Sequence, residues 1–115
     1  MRIEVRGRNV EVTDELQDAI FKRFRRVGKQ VSELATLDVE LSEETNPRIT
    51  DSQIAEATLR LKGTTIRARE ATPEMLHSIH EVAEDVRRQV KRNRELRRGR
   101  ERTRRVMGRL PNDPA

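Results

Sequence analysis

Residues 87–105 read RRQVKRNRELRRGRERTRR and set eleven Arg or Lys against two acids. Residues 1–86 hold thirteen basic and seventeen acidic residues, so the net +5 of the whole chain originates in this block. Guanidinium groups at this density do one kind of chemistry well: forked, charge-assisted hydrogen bonds to phosphate oxygens. A basic block attached to a mildly acidic domain is the electrostatic footprint of a polyanion binder. Within it, Arg87, Arg88, Lys91, Arg92, Arg94, Arg97 and Arg98 are candidate phosphate ligands. A second set, Lys22, Arg23, Arg25, Arg26 and Lys29, lies on the polar side of an amphipathic stretch. That set alone reads equally well as an ordinary solvated helix face. Eleven cations in nineteen residues exceed what solubility asks for.

Other reactive side chains are sparse. His77 and His80 stand three apart, with Glu81 and Glu84 close by. Acid–base or metal chemistry is conceivable there, but histidines bordering an apolar stripe read better as surface residues. Glu43, Glu44 and Asp51 fit a soluble loop as well as a cation site. No Gly-rich phosphate loop, nucleophile elbow or metal-ligand spacing occurs. The expectation is a non-enzyme with no cofactor, no metal and no small-molecule substrate. The chain has no Cys, which removes disulfides and thiolate sites and agrees with a reducing, cytoplasmic setting. Phe21 and Phe24 are the only aromatics besides the histidines, too few for base-stacking platforms. No apolar run approaches the ~20 residues of a membrane span, and MRIEVRGRNVEV lacks the apolar core of a signal peptide. No membrane partner is expected.

The elements that position these cations follow from periodicity. Ile3 and Val5 alternate with Arg2, Glu4 and Arg6, a half-buried strand. Gly7-Arg8-Asn9 breaks it. Thr13 is a good N-cap, followed by Asp14 and Glu15 where the helix dipole favours acids. Leu16, Ala19, Ile20, Phe24 and Val27 then recur at helical spacing in one helix, with Gly28 near its end as a point of fraying or a C-cap. Leu37, Val39 and Leu41 alternate as a second strand, and residues 43–52, EETNPRITDS, read as a hairpin loop. Ala55, Ala57, Leu59 and Leu61 form a third strand; Gly63-Thr64 turns it into a fourth through Ile66 and Ala68. Thr72 caps a last helix with Pro73 in its first turn and Met75, Ile79, Val82, Ala83, Val86 and Val90 as its stripe. The stripe ends at Val90, and the helix continues into solvent until Gly99, Thr103, Gly108 and Pro111 favour fraying. From about residue 100 the free chain is expected to be disordered.

The order is β-α-β-β-β-α in an α+β fold: a four-stranded sheet with two helices packed side by side on one face. The other face is solvated and mixed in charge. Both helices then turn their polar sides outward together, which makes one broad positive band suited to the phosphate ribbons of folded RNA or DNA.

Two segments carry a resemblance. IEVRGRNVEVTDELQDAI resembles the start of the ribosome hibernation promoting factor / ribosome-associated inhibitor family: a strand, a turn like Gly7-Arg8-Asn9, and a helix start like Val12-Thr13-Asp14-Glu15-Leu16. IRAREATPEMLHSIHEVAEDVRRQVKR is similar to the family's last strand and helix. Glu74-Met75 stands where Asp-Met is common, Leu76 where Tyr is frequent and His80 where Asp is frequent. The resemblance covers roughly residues 1–95. It implies a fold like double-stranded-RNA-binding domains, with residues 1–98 as the ribosome-binding domain and 99–115 as a basic flexible tail or linker start. It implies binding to the small ribosomal subunit and its rRNA, in the channel used by tRNA and mRNA, through the basic helix faces and Arg8. Translation would be inhibited by occlusion. Long members add a C-terminal dimerisation domain that pairs ribosomes; this chain is expected to act as a monomer on single ribosomes.

Two other readings remain open on the residues alone. One is a generic double-stranded-RNA binder, although the loop around Gly7–Val12 offers little beyond Arg8 and Asn9 for a second groove. The other is a protein-interaction module whose Arg-rich tail docks on an acidic partner.

Overall fold

The computed structural model describes residues 1–109. The elements are β1 (Arg2–Gly7), α1 (Asp14–Arg23), α2 (Arg25–Gln30), β2 (Thr36–Glu43), β3 (Gln53–Leu61), β4 (Thr64–Thr72) and α3 (Met75–Arg109). The strands form one sheet in the order β1-β2-β3-β4. β1 pairs with β2 in parallel, in the register Ile3↔Leu37 and Val5↔Val39. A parallel pair needs a crossover, and α1 and α2 supply it. β2–β3 and β3–β4 are antiparallel hairpin pairs.

Alternation along the strands turns Leu37, Val39, Leu41, Ala55, Ala57, Leu59, Ile66 and Ala68 to one face, where all are buried. Ile20, Phe24 and Val27 cover that face from one side, and Ile79, Val82, Ala83, Val86 and Val90 cover it from the other. The α+β arrangement read from periodicity is therefore the observed one. Phe24 is fully enclosed, and truncating such a ring costs about 3–5 kcal/mol.

Four local expectations are corrected. The first helical stretch is two helices, not one. Phe24 breaks it at φ −90°, ψ 3°, although its N–H still bonds the Ile20 carbonyl at 3.0 Å. Lys22, Arg23, Arg25, Arg26 and Lys29 repel one another at i,i+3 and i,i+4 spacing, which weakens the second half of this stretch. Gly28 does not end it: its N–H bonds the Phe24 carbonyl, and the C-cap is Val31. The β3–β4 turn is Lys62-Gly63 rather than Gly63-Thr64, because Leu61 and Thr64 already pair. Gly63 sits at φ +77°, a conformation glycine adopts without a Cβ clash.

The fourth correction concerns Thr72, which is the last residue of β4 and not the N-cap of α3. Its hydroxyl still accepts from the Glu74 N–H at 3.2 Å, and the Glu74 carbonyl takes the first helical bond, from the Ser78 N–H at 3.0 Å. By contrast Thr13 caps α1 as expected, accepting from the Leu16 N–H at 3.2 Å. The helix α3 runs through Gly99 as one element to Arg109. The expectation for residues 110–115 lies outside the described residues.

Candidate nucleic-acid interface

β1, β2 and β4 run in the same direction, and each helix returns against the strand before it. α2 and α3 therefore finish at the same end of the sheet. Gln30 and Val31 at the end of α2 share a groove there with Val90, Asn93 and Arg94 of α3. At the opposite end, Thr13 and Leu16 of α1 lie beside Met75 and Leu76 of α3.

Gln89 settles how α3 is rotated. Its Nε2 donates to the Arg67 carbonyl of β4 at 2.9 Å, so this flank of α3 faces the sheet edge. At 100° per residue, Arg87 and Arg94 fall on the other flank, toward α1 and α2. The last buried residue of the stripe is Val90. Nineteen residues of α3 follow it, which at 1.5 Å per residue is about 28 Å of helix.

Lys22, Arg23, Arg25, Arg26 and Lys29 are all exposed on α1 and α2. Arg88, Lys91, Arg92, Arg94, Arg97 and Arg98 are exposed on α3. None of these eleven forms an ion pair among the described residues. Cations in the last turns also complement the negative ends of the helix dipoles.

Arg87 differs from its neighbours. It is half-buried, and its Nη2 donates to Glu84 Oε2 at 2.9 Å. That hydrogen bond holds the Glu84 carboxyl below its ordinary pKa against a smaller opposing effect of burial. Arg8 is also set apart. It lies after β1, at the helix-N-terminal end of the molecule, away from the other candidates. Acids crowd that end: Glu11, Asp14, Glu15, Glu43, Glu44, Asp51 and Glu74.

The outer sheet face is charged but self-neutralised. Arg2 pairs with Glu4 at 2.9 Å, Arg6 with Glu40 at 2.8 Å, Arg69 with Glu56 at 3.3 Å, and Arg60 with Asp38. Unpaired positive charge is thus concentrated on the helix side, toward the end where α2 and α3 finish.

His77 is exposed, with Nε2 3.7 Å from Glu81 Oε1, and His80 is half-buried. No group of three or more His, Asp or Glu is placed to hold a metal ion among the described residues. No helix among them is long and apolar enough to cross a membrane. Periodicity passed over Asn9 and Leu34. Asn9 is a structural clamp, and Leu34 is the most exposed large apolar side chain among the described residues, at 90%.

Residues 3–98 match the family described as sigma 54 modulation protein / S30EA ribosomal protein. A ribosome hibernation promotion factor from Picosynechococcus sp. is 34% identical over 120 aligned positions, covering 99% of this chain and 61% of the relative. The chain thus spans less than two thirds of that protein. A ribosome hibernation promoting factor from Acinetobacter guillouiae is 25% identical, with 84% of this chain and 89% of the relative covered. Among solved structures, the N-terminal domain of Thermus thermophilus Protein Y superposes with a TM-score of 0.69 at 27% identity, covering 80% of this chain and 98% of that one. A ribosomal subunit interface protein from Coxiella burnetii superposes with a TM-score of 0.71 at 17% identity, covering 83% and 99%.

Proposed function

Because the chain belongs to the sigma 54 modulation protein / S30EA ribosomal protein family, we propose that it is a ribosome hibernation factor that binds the small subunit in the tRNA and mRNA channel. Residues 1–98 are the binding unit, and residues 99–115 extend it as a basic segment. The observation that carries this reading is the division of charge: eleven exposed cations that form no ion pair among the described residues on the helix side, against a sheet face whose cations are largely paired to acids. Phosphate contacts need cations that are not already neutralised.

The helix side meets rRNA, and the sheet face turns away from it. The acidic end is repelled by phosphate, so the molecule enters with the C-terminal ends of α2 and α3 leading. Arg88, Lys91 and Arg92 project from one helix and Lys22, Arg23, Arg25, Arg26 and Lys29 from its neighbours. They bridge phosphates on separate RNA segments with little reordering of the backbone. Arg94, Arg97 and Arg98 extend the contact along the projecting part of α3. Arg87 serves mainly to hold Glu84, and Arg8 makes a peripheral contact. Inhibition follows from occupancy, since a folded domain in the channel excludes tRNA and mRNA.

Sedimentation with ribosomes at moderate salt, with a long RNA duplex as competitor, tests this. Co-migration with the small subunit that survives the competitor is the expected result. Release by any duplex would instead identify a generic double-stranded-RNA binder.

A further inference from the structure

Below the projecting part of α3 lies a groove of about 590 Å³, within the ~300–1,000 Å³ range of ligand-sized clefts. Val31, Leu34, Leu61 and Val90 give it an apolar lining. Lys62, Arg94 and Arg97 add positive charge, and no acid lines it among the described residues. Arg60 also reaches it but is paired with Asp38.

Leu34 is the unusual member. It is 90% exposed, yet its loop is ordered by hydrogen bonds. Ser32 Oγ accepts from the Leu34 N–H at 3.1 Å, and the Ser32 carbonyl accepts from the Ala35 N–H at 3.0 Å. A lone exposed leucine is ordinary, but this one continues the apolar lining of Val31, Leu61 and Val90 beside a cationic rim, and an apolar patch rimmed by polar groups marks an interaction site. No aromatic ring lines the groove, so a nucleobase would have only guanidinium planes to stack on. A peptide with an apolar anchor and flanking carboxylates would satisfy both the lining and the charge.

We propose that this groove docks a short acidic segment of a protein partner, in which a Leu, Ile, Met or Phe anchor is flanked by Asp or Glu. The anchor packs against Val31, Leu34 and Leu61, and the flanking carboxylates meet Lys62, Arg94 and Arg97. The site lies on the inner side of the helix projection, whereas the phosphate band lies on the outer side. The two sites share Arg94 and Arg97 but not Leu34 or Lys62.

The test is fluorescence anisotropy of the full chain with a labelled peptide, Asp-Glu-Asp-Leu-Phe-Glu-Asp-Glu. The same peptide with Ser-Ser in place of Leu-Phe and a uridine-rich RNA of matched charge are run beside it. Saturable binding is expected, weakened about tenfold or more by the Ser-Ser change. Leu34→Ser and Lys62→Glu should each weaken the Leu-Phe peptide about fivefold or more. Arg67→Glu, the same charge change on the sheet face, should leave it nearly unaltered. Leu34 is exposed, so its replacement leaves the core intact. Absence of saturable binding, or equal binding of the two peptides, would overturn the proposal. So would a loss of RNA binding in Leu34→Ser as large as the loss of peptide binding, which would make the groove part of the RNA surface.

Discussion

Asn9 and Glu43, 34 residues apart, exchange two hydrogen bonds: Asn9 Nδ2 donates to the Glu43 carbonyl and Asn9 Oδ1 accepts from the Glu43 N–H, both at 2.7 Å. One side-chain amide thus closes the end of β2 with the chain leaving β1, as a further rung of a parallel ladder would. The Arg8 N–H adds a bond to the Leu41 carbonyl at 2.9 Å. Gly7-Arg8-Asn9 is therefore mainly an architectural motif, and the Arg8 side chain faces solvent.

Asn9→Ala removes both bonds and should lower stability by about 1–2 kcal/mol, the sum for two partly exposed hydrogen bonds. Denaturant unfolding checks it: the midpoint should fall with an unchanged slope. Asn9→Asp should restore little, because a carboxylate cannot donate to the Glu43 carbonyl.

Gly7→Ala should be as damaging or worse. A Cβ at Gly7 would collide with the Val10 carbonyl oxygen, so the backbone of the loop must move. The expected cost is about 2–4 kcal/mol, read in the same unfolding experiment. Gly99→Ala is the control. Nothing lies within 4 Å of a Cβ there, and alanine favours a helix by about 1 kcal/mol over glycine.

The pattern of the chain made most of this architecture legible. Two-residue alternation located β2, β3 and β4, and the stripe from Met75 to Val90 located the packed part of α3. Three features escaped it for physical reasons. The break at Phe24 falls among five closely spaced cations, whose mutual repulsion apolar periodicity ignores. Thr72 has the side chain of an N-cap, but pairing with Gln53 keeps it in β4. Leu34 belongs to neither a helical stripe nor a strand alternation, so its groove emerges only where α3 overhangs the β2 entry. The basic faces were legible as composition. So was the mixed charge of the outer sheet face, but not the ion pairs that neutralise it, because they depend on cross-strand partners.

Ser78 is fully buried and joins three elements. Its hydroxyl donates to the Gln53 carbonyl of β3 at 2.6 Å and accepts from the Thr72 N–H of β4 at 3.1 Å. Ser78→Val leaves both partners unsatisfied and should cost about 1–3 kcal/mol. Amide exchange should rise first at Thr72 and along the start of α3. Ribosome affinity of the folded fraction should hold, since Ser78 lies far from the cationic end.

The Glu84–Arg87 pair makes a small pH-dependent contribution of known sign. The hydrogen bond from Arg87 depresses the Glu84 pKa in the folded chain, so the unfolded chain binds its proton more readily. The stabilisation is complete above the ordinary carboxylate range and is lost as pH falls through the depressed folded value. Both side chains are more than a third exposed, so screening limits the effect to about 0.3–0.5 kcal/mol. Thermal unfolding from neutral to acid pH should show a slightly flatter profile for Glu84→Gln. An equal or steeper acid loss in that variant would contradict the assignment.

The rRNA-binding reading makes the strongest demand on salt dependence. If about six phosphates are neutralised, affinity for small subunits should fall by roughly three decades between 50 and 200 mM salt. Arg88→Glu, Lys91→Glu and Arg92→Glu together remove three contacts from α3, so the slope should drop by about three units. These side chains are exposed and form no ion pair among the described residues, so the fold should survive and circular dichroism should stay unchanged. Arg2→Glu, Arg67→Glu and Arg69→Glu together change the sheet face by the same charge and should leave the slope nearly as it was. The two variants therefore separate a local interface from a general effect of net charge. Equal losses from both would mean that the chain is drawn to RNA by its overall charge and not through its helix side.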